Sequence, residues 1–193
     1  MAGIGMLYMV AAPVTSHTDG NPITYGEGFE VGPSVAADLS FSSNDNPDMG
    51  DDVVIDNDTG ITGYSGTVEN NFIEEAVAAK LYGWPLNSQS NEYAITSASS
   101  PHMGFGYIKK CLDKGVLKFR AFWFLKAQFQ LGSYVNARTK PNGSVDWQHD
   151  TSNITGIGAV VDSSGDAHYV IPKTFTTFAA AQTWLKGKAN ITP

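Results

Sequence analysis

The chain has 193 residues, a formal net charge of −7 and a single cysteine, Cys111. This length suits one domain, which can bury a substantial core without covalent staples. One cysteine excludes an intrachain disulfide, and the acidic balance argues against tight binding of nucleic acid. The apolar run Met6–Val14 is too short to cross a bilayer and no Lys or Arg precedes Lys80, so we expect no secretory signal and a cytoplasmic location.

Strand-like alternation of apolar and polar residues dominates the chain. GMLYMVAAPV is typical of a first strand, and SVAADLSFSS alternates at a period of two. The stretch from Ser42 to Asp58 is too polar to pack inside, so we predict a projecting acidic loop there. VVIDNDTGITGYSGTVEN predicts a short strand, a turn around Asp58 to Gly60 and a second strand. Later strands are predicted at EYAITSASS, at MGFGYIKKCLDKG, within SYVNARTKPNGSVDWQHD and in the hairpin ITGIGAVVDSSGDAHYVI.

The longest alternating stretch runs from Gly115 to Leu131. Its odd-numbered residues, from Leu117 onward, are apolar and are assigned to the core. Its other face carries Phe122 and Phe124 among lysines and glutamines, where a solvent-facing strand would have polar residues. A strand of this length spans about 50 Å, so we expect it to bend, bulge or project.

Two short helices are predicted, at about 72–82 and about 178–186. Asn71 and Thr177 are placed to cap them, Glu74 to complete a capping box with Asn71, and Gly83 to end the first helix. The inward residues are predicted as Phe72, Ile73, Ala76, Val77, Lys80 and Leu81 in the first helix, and Phe178, Ala181, Trp184 and Leu185 in the second. The predicted fold class is α+β, mainly antiparallel strands with these two helices, in a single domain 1–193.

Charge is divided unevenly along the chain. Residues 1–100 hold 14 Asp and Glu against one Lys, whereas residues 101–193 hold 5 Asp against 11 Lys and Arg. Such a division suits a surface that meets a second copy in another orientation. It equally suits two halves that interleave so that their charges mix, and the sequence does not choose between these.

No catalytic, cofactor-binding or metal-binding motif stands out. Gly104 and Gly106 lack the third glycine and the following helix of a dinucleotide fingerprint. The acidic turns lack the spacing and closing glutamate of a calcium loop, and the histidines lie far apart in sequence. We therefore expect no enzymatic activity, no cofactor and no metal.

Four stretches follow one another in a suggestive order: GPSVAADLSFSSNDNPDMGDD, GITGYSGTVENNFIEEAVAAKLYGW, HMGFGYIKKCLDKGVLKFRAFWFLKAQF and NARTKPNGSVDWQHDTSNITGIGAVV. They combine a strand before an acidic loop, a strand before a capped helix, a glycine-aromatic strand before an aromatic strand, and a Thr-Lys turn before an apolar strand. This order, over residues 25–165, resembles the major tail protein (tail tube) family of long-tailed bacteriophages. The resemblance implies a β-sandwich or flattened barrel with one packed helix.

The resemblance further implies a structural protein whose copies form stacked, hexameric rings around a channel for double-stranded DNA. Its expected partners are then other copies of itself and the tail terminator, tape measure and baseplate proteins, and its expected location is the virion tail. Double-stranded DNA is expected to pass through the channel without specific binding, and no contact with a membrane is expected. A lumen rich in Lys and Arg would hold phosphates through counterion release, so we expect a negative or neutral lumen.

Candidate contacts between copies follow from this resemblance. Phe122 and Phe124 would be covered either by a neighbouring copy or, within the same subunit, by the helix at about 72–82; two buried phenylalanines contribute about 3–6 kcal/mol. The acidic loop is expected to touch the next ring, with Lys109, Lys110, Lys114 or Lys173 as basic partners. The candidate interface residues are Phe122, Phe124, Asp45, Asp48, Asp51, Asp52, Lys109 and Lys110.

Two other interpretations stay open. One is a tube subunit of a phage-like secretion or injection machine, which shares the assembly but not the virion. The other is a carbohydrate- or receptor-binding β-sandwich, with exposed Trp84 and Trp147 as a platform.

Overall fold

The structure is a computed structural model. It describes residues 2–17, 21–44, 46–50, 53–58, 60–87, 89–137, 147–160 and 166–192. In chain order the elements are β1 (Ala2–Ser16), β2 (Thr24–Tyr25), β3 (Phe29–Gly32), β4 (Ser34–Ser43), β5 (Asn46–Gly50), β6 (Val53–Asp58), β7 (Ile61–Asn70), α1 (Glu75–Tyr82), β8 (Leu86–Asn87), β9 (Glu92–Tyr93), β10 (His102–Asp113), β11 (Val116–Leu131), β12 (Asp150–Ile157), β13 (Ala159–Val160), β14 (Ala167–His168), β15 (Val170–Phe175) and α2 (Phe178–Lys188).

The main sheet follows the order β2-β1-β10-β11-β12-β7-β4, and all neighbours are antiparallel. β3 pairs with β1, and β15 pairs with residues 119–124 of β11. β4 returns beside β1, but in the described residues no ladder joins these two strands. The sheet therefore curls round a core and leaves a seam between β4 and β1. The predicted class, antiparallel strands with two helices, is confirmed.

A β-bulge midway along β11 decides which side chains are buried. Leu125 and Lys126 together stand opposite Gly104, because the register with β10 shifts between the pairs on either side. One extra residue reverses the alternation of faces. The odd residues as far as Leu125 face one cluster, and Ala127 and Phe129 face the other. The predicted bulge is confirmed, and the single core face predicted for this strand is wrong.

Two apolar clusters sandwich β11. The inner cluster lies inside the curled sheet and includes Tyr64, Phe105, Phe124, Phe129 and Ile154. The outer cluster lies beneath α2 and includes Phe119, Trp123, Leu125, Ala181 and Leu185. Burial on both faces explains why apolar residues occupy both parities of this strand.

α1 begins later than its local sequence predicts. Glu74, and not Asn71, occupies the N-cap position, and its side chain makes no capping hydrogen bond. The approach to the helix is held instead by the Asp150 carboxylate, whose Oδ2 accepts a hydrogen bond from the Ile73 backbone N–H at 2.8 Å. A side chain distant in sequence thus takes over a role that the capping-box pattern assigned locally.

The other helix predictions have mixed outcomes. Gly83 ends α1 in the left-handed region with φ 74°, and Thr177 Oγ1 caps α2 by accepting from the Ala180 N–H at 3.3 Å, both as predicted. The inward stripe predicted for the first helix is wrong at Phe72, which precedes α1 and is 60% exposed, and at Ala76 and Lys80, which are also exposed. The buried residues of α1 are Ala78, Ala79, Leu81 and Tyr82.

Two segments have a secondary structure different from the one predicted. The acidic segment contains a two-stranded sheet: β5 lies where a loop was predicted, whereas β6 agrees with the short strand predicted from Val53. EYAITSASS contains only the two-residue strand β9. The hairpin predicted after β12 is confirmed in the pairing of β13 with β14.

Candidate assembly surfaces

Phe124 lies in the inner core of the chain. Its side chain is 3% exposed, its ring stacks on Phe105 with centroids 4.7 Å apart, and the Tyr64 ring lies 5.1 Å away. The cover comes from within the subunit: these rings belong to β10 and β7, and the same buried cluster includes Ile73, Ala78 and Leu81 of the segment 72–82. The assignment of Phe124 to a contact between copies is wrong for this conformation, because the residue has no exposed face to offer.

Phe122 lies at the margin of the same core. Its ring centroid is 5.4 Å from that of Tyr107, and the side chain stays partly exposed. Phe122 therefore stays a candidate for contact with a second copy, whereas Phe124 serves the fold.

Basic residues gather at the turn end of the β10–β11 hairpin, which we call the basic hairpin end (residues 109–120). They are Lys109, Lys110, Lys114, Lys118 and Arg120. Apolar side chains accompany them: Val116 is 57% exposed, and Leu112 and Leu117 are also exposed. An apolar surface ringed by positive charge is a feature of association sites.

One acid lies among these bases. Asp113 accepts a hydrogen bond from Lys118 Nζ at 2.8 Å, and this bond and the lysine charge hold the pKa of Asp113 below its usual value. Lys109 is exposed and Lys110 is partly buried. Within the described ranges, neither pairs with a carboxylate, so both keep their charge for an external partner.

Acidic residues occupy a different sector of the sheet. β10 and β11 are neighbours, whereas β4 and β7 lie together on the far side of β12. The acidic segment 42–58 continues from β4, and in the described residues its strands β5 and β6 pair only with each other. Asp48 lies in β5, while Asp45, Asp51 and Asp52 lie outside the described residues. The strand order separates the two groups along the sheet, and the curl of the sheet brings Lys109 into the seam cavity with Asp38.

The seam edge of β4 is open. In the part of the chain that the structure describes, β4 hydrogen-bonds only to β7. A cavity of about 360 Å³ follows its residues 37–40, and a second of about 330 Å³ lies in the seam between β4 and β1. Val35 lines the seam cavity and is 40% exposed. A long edge with free backbone groups is a template for pairing with another chain.

Three adjoining strands present an outward face without positive charge. The sequences of β4, β7 and β12 contain no Lys, Arg or His. Their outward side chains alternate with core residues such as Val68 and Ile154 and are mostly hydroxyls and amides, with two acids: Asp38, Ser40, Ser42, Ser65, Thr67, Glu69, Thr151, Asn153 and Thr155. We call this surface the neutral face. None of its own side chains is a base; His149 contacts Glu69 at its margin, and Lys109 shares the seam cavity with Asp38.

An acidic aromatic groove lies at the opposite end of β11 from the basic hairpin end. It has a volume of about 350 Å³, and its lining includes Trp84, Tyr93, Tyr134, Glu75 and Glu92. Trp84 packs on Tyr82 at 5.1 Å and meets Tyr134 edge-on at 5.3 Å. Its described lining residues include no base. Trp147, the other aromatic proposed as a platform, is 78% exposed and lies outside this lining.

The histidines make separate polar contacts. His149 Nδ1 lies 2.6 Å from Glu69 Oε1, and His17 Nδ1 lies 3.0 Å from Lys126 Nζ. Burial and the Lys126 charge lower the pKa of His102. Among the described residues, no three His, Cys, Asp or Glu side chains form a group that could hold a metal ion.

Sequence comparison adds no relative: no family model and no curated protein matches this chain. Over the ranges given above, neither helix has the length and apolar character needed to cross a membrane.

Sequence reasoning missed three parts of these surfaces. The exposure of Val35 depends on β4 being an edge strand, and the alternation of SVAADLSFSS fits a central strand equally well. Glu92, in β9, and Tyr134, after β11, come from separate segments that meet only in the fold. The absence of bases from three adjoining strands was visible in the sequence, but their adjacency was not.

Proposed function

We propose that this protein is the subunit of a hollow tube of the phage tail type, whose copies join into rings that stack around a channel. The observation that carries the proposal is the open seam edge of β4, where free backbone groups and exposed Val35 lie side by side. Pairing of this edge with a second copy would satisfy those groups and extend the sheet round a ring. The order of motifs that resembles tail tube proteins supports the phage tail type.

The separation of charge supports the same proposal. Bases concentrate at the basic hairpin end, and the acidic segment continues from β4. Copies set side by side in one orientation bring opposite charges together, which favours a defined register. Lys109 and Lys110 are the candidates for partners of Asp48 and its acidic neighbours.

The neutral face is the surface that we assign to the lumen. A tube that conducts DNA must not hold phosphates, and counterion release makes each lysine or arginine contact a holding site. The neutral face carries Asp38 and Glu69 and no base. DNA is therefore expected to slide past it without binding.

A lysine on the seam edge tests the assembly. Val35→Lys is expected to leave the subunit folded, since exposed substitutions change stability by about 0.5 kcal/mol or less. It is expected to raise the concentration needed for rings or tubes by more than about tenfold, because a charge at a strand edge opposes pairing. Negative-stain microscopy and sedimentation velocity measure this. Ser65→Lys, on the central strand β7, adds the same charge and is expected to assemble normally; assembly of Val35→Lys at the wild-type concentration contradicts the edge contact.

Lysines on the neutral face test its place in the lumen. Tubes of the double variant Ser65→Lys, Asn153→Lys are expected to retain short double-stranded DNA at low salt and release it as salt rises, whereas wild-type tubes retain none. Co-sedimentation of fluorescent DNA included during assembly measures this. Ser65→Gln, Asn153→Gln is the neutral control. Equal retention by the lysine and glutamine variants would show that this face does not line the channel.

A further inference from the structure

We propose that the basic hairpin end of one copy docks into the acidic aromatic groove of the copy in the next ring, with Lys114 entering between the groove's rings and carboxylates. This contact rests on the proposed tube assembly and names the surfaces that join its stacked rings.

The groove has the chemistry of a cation site. Its aromatic residues are Trp84, Tyr93 and Tyr134, whose ring faces attract cations, and Glu75 and Glu92 add two carboxylates. Both groups attract an ammonium ion, the rings through their quadrupoles and the carboxylates through charge. In the described part of the chain, no ion pair neutralises Glu75 or Glu92. Exposed Ile95, also in the lining, gives the groove an apolar margin.

The basic hairpin end is shaped to enter such a groove. Lys114 and Gly115 have φ of 49° and 81°, the positive values that a two-residue hairpin turn requires, so the tip is narrow and conformationally defined. The lysine is exposed, and the Asp113–Lys118 ion pair joins the strands just behind it. Val116, 57% exposed, lies beside it and can contact the apolar margin of the groove.

The two surfaces lie at opposite ends of one long hairpin. Val116 begins β11 at the tip, and Leu131 ends it at a cavity that shares Trp84 and Ile95 with the groove. This strand spans about 50 Å, so the tip of one chain cannot reach its own groove. A contact between two different surfaces is heterologous, and it generates an open stack when its repeat does not close into a ring.

Charge exchange between the two surfaces tests the contact. Lys114→Asp keeps a residue that tolerates positive φ and reverses the charge of the tip, and Glu92→Lys reverses one charge in the groove. Each exposed ion pair contributes about threefold to affinity. Two stacked rings share one such pair for every subunit, so the factors multiply over the whole ring. Each single variant is thus expected to raise the concentration for tube formation by more than about a hundredfold and to leave unstacked rings. The double variant is expected to return this concentration to within about tenfold of wild type.

Matched variants separate docking from a general charge effect. Lys188→Glu, at the end of α2, and Glu27→Lys, in an exposed segment, carry the same charge changes outside both surfaces and are expected to form tubes. Tubes from Lys114→Asp at the wild-type concentration, or a double variant no better than its parents, overturn the docking and leave the tube proposal standing. A wild-type protein that forms neither rings nor tubes overturns both. If Glu92→Lys forms tubes normally while a simple sugar shifts the Trp84 indole resonance in a saturable way, the groove belongs to a glycan.

Discussion

Replacement of Phe124 by alanine is expected to lower the free energy of unfolding by about 3–5 kcal/mol, the cost of removing a buried phenylalanine side chain. The ring stacks on Phe105 and contacts Tyr64, and the alanine leaves a cavity that these two large rings cannot fill without moving. For a domain of this size the melting temperature is expected to fall by roughly 6–20 °C. Urea unfolding followed by tryptophan fluorescence measures the loss.

Phe122→Ala is the matched control. Its side chain lies on the same face of β11 but is partly exposed, so we expect a smaller loss, about 1–2 kcal/mol. A Phe124→Ala subunit as stable as wild type but unable to assemble would contradict the structure, because it would place Phe124 at a contact between copies. Equal losses at both positions would argue against the inner core as described.

Replacement of Gly66 by alanine is expected to detach β4 from the sheet. The residue has φ 155°, and a Cβ there would lie 1.9 Å from the carbonyl oxygen of Asp38 on β4. Overpacking against the backbone costs roughly 1–3 kcal/mol, and the strained φ adds roughly 1–3 kcal/mol. We therefore expect a loss of roughly 2–6 kcal/mol, with faster amide exchange in β4 than in β10.

Gly5→Ala controls for the general effect of removing a strand glycine. A Cβ at Gly5 meets nothing within 4 Å, so stability is expected to stay within about 0.5 kcal/mol of wild type. Because β4 carries the proposed seam edge, Gly66→Ala should also abolish ring formation while β10 and β11 remain protected. Normal rings from a stable Gly66→Ala protein would show that the β4–β7 register is not as described.

The buried tyrosines explain why the inner core tolerates polar groups. Tyr82 OH and Ser152 Oγ are 2.6 Å apart, and Tyr64 OH donates to the Lys126 carbonyl at 3.1 Å. Burial raises the pKa of both phenols, so they stay neutral. The Tyr64 bond ends at the bulge in β11, so a side chain of β7 supports the point where β11 changes faces.

Local patterns in the sequence predicted the secondary structure well. Period-two alternation identified β1, β4, β10 and β11, and the left-handed glycine at position 83 and the threonine at position 177 marked helix ends as expected. Each of these signals depends on the conformation of a few adjacent residues, and propensity and capping act over that range. The capping box at Asn71 failed because Asp150 supplied a competing hydrogen bond from another part of the chain.

The candidate surfaces were predictable only as residue types. The sequence singled out Lys109 and Lys110 as basic residues available to a partner, and the structure leaves both without an ion pair in the described ranges. The sequence also singled out Phe124, but for the wrong reason. Alternation places this residue on the strand face predicted to meet solvent, and only the fold shows that other strands cover that face. The seam edge and the groove are built from segments that alternation and spacing treat as unrelated.

The amino-acid sequence by itself determined the long strands β1, β4, β10 and β11, the existence of two helices, the excess of acid in one half and of base in the other, and the helix ends at Gly83 and Thr177. Only the tertiary structure decided that β11 is buried on both faces, that β4 has an open edge and that Lys109 lies in the seam cavity with Asp38. The physical reason is the distance along the chain over which each effect acts. Backbone preference and side-chain periodicity act between near neighbours, whereas burial depends on which distant strand lies opposite, and a one-residue bulge is enough to exchange the two faces.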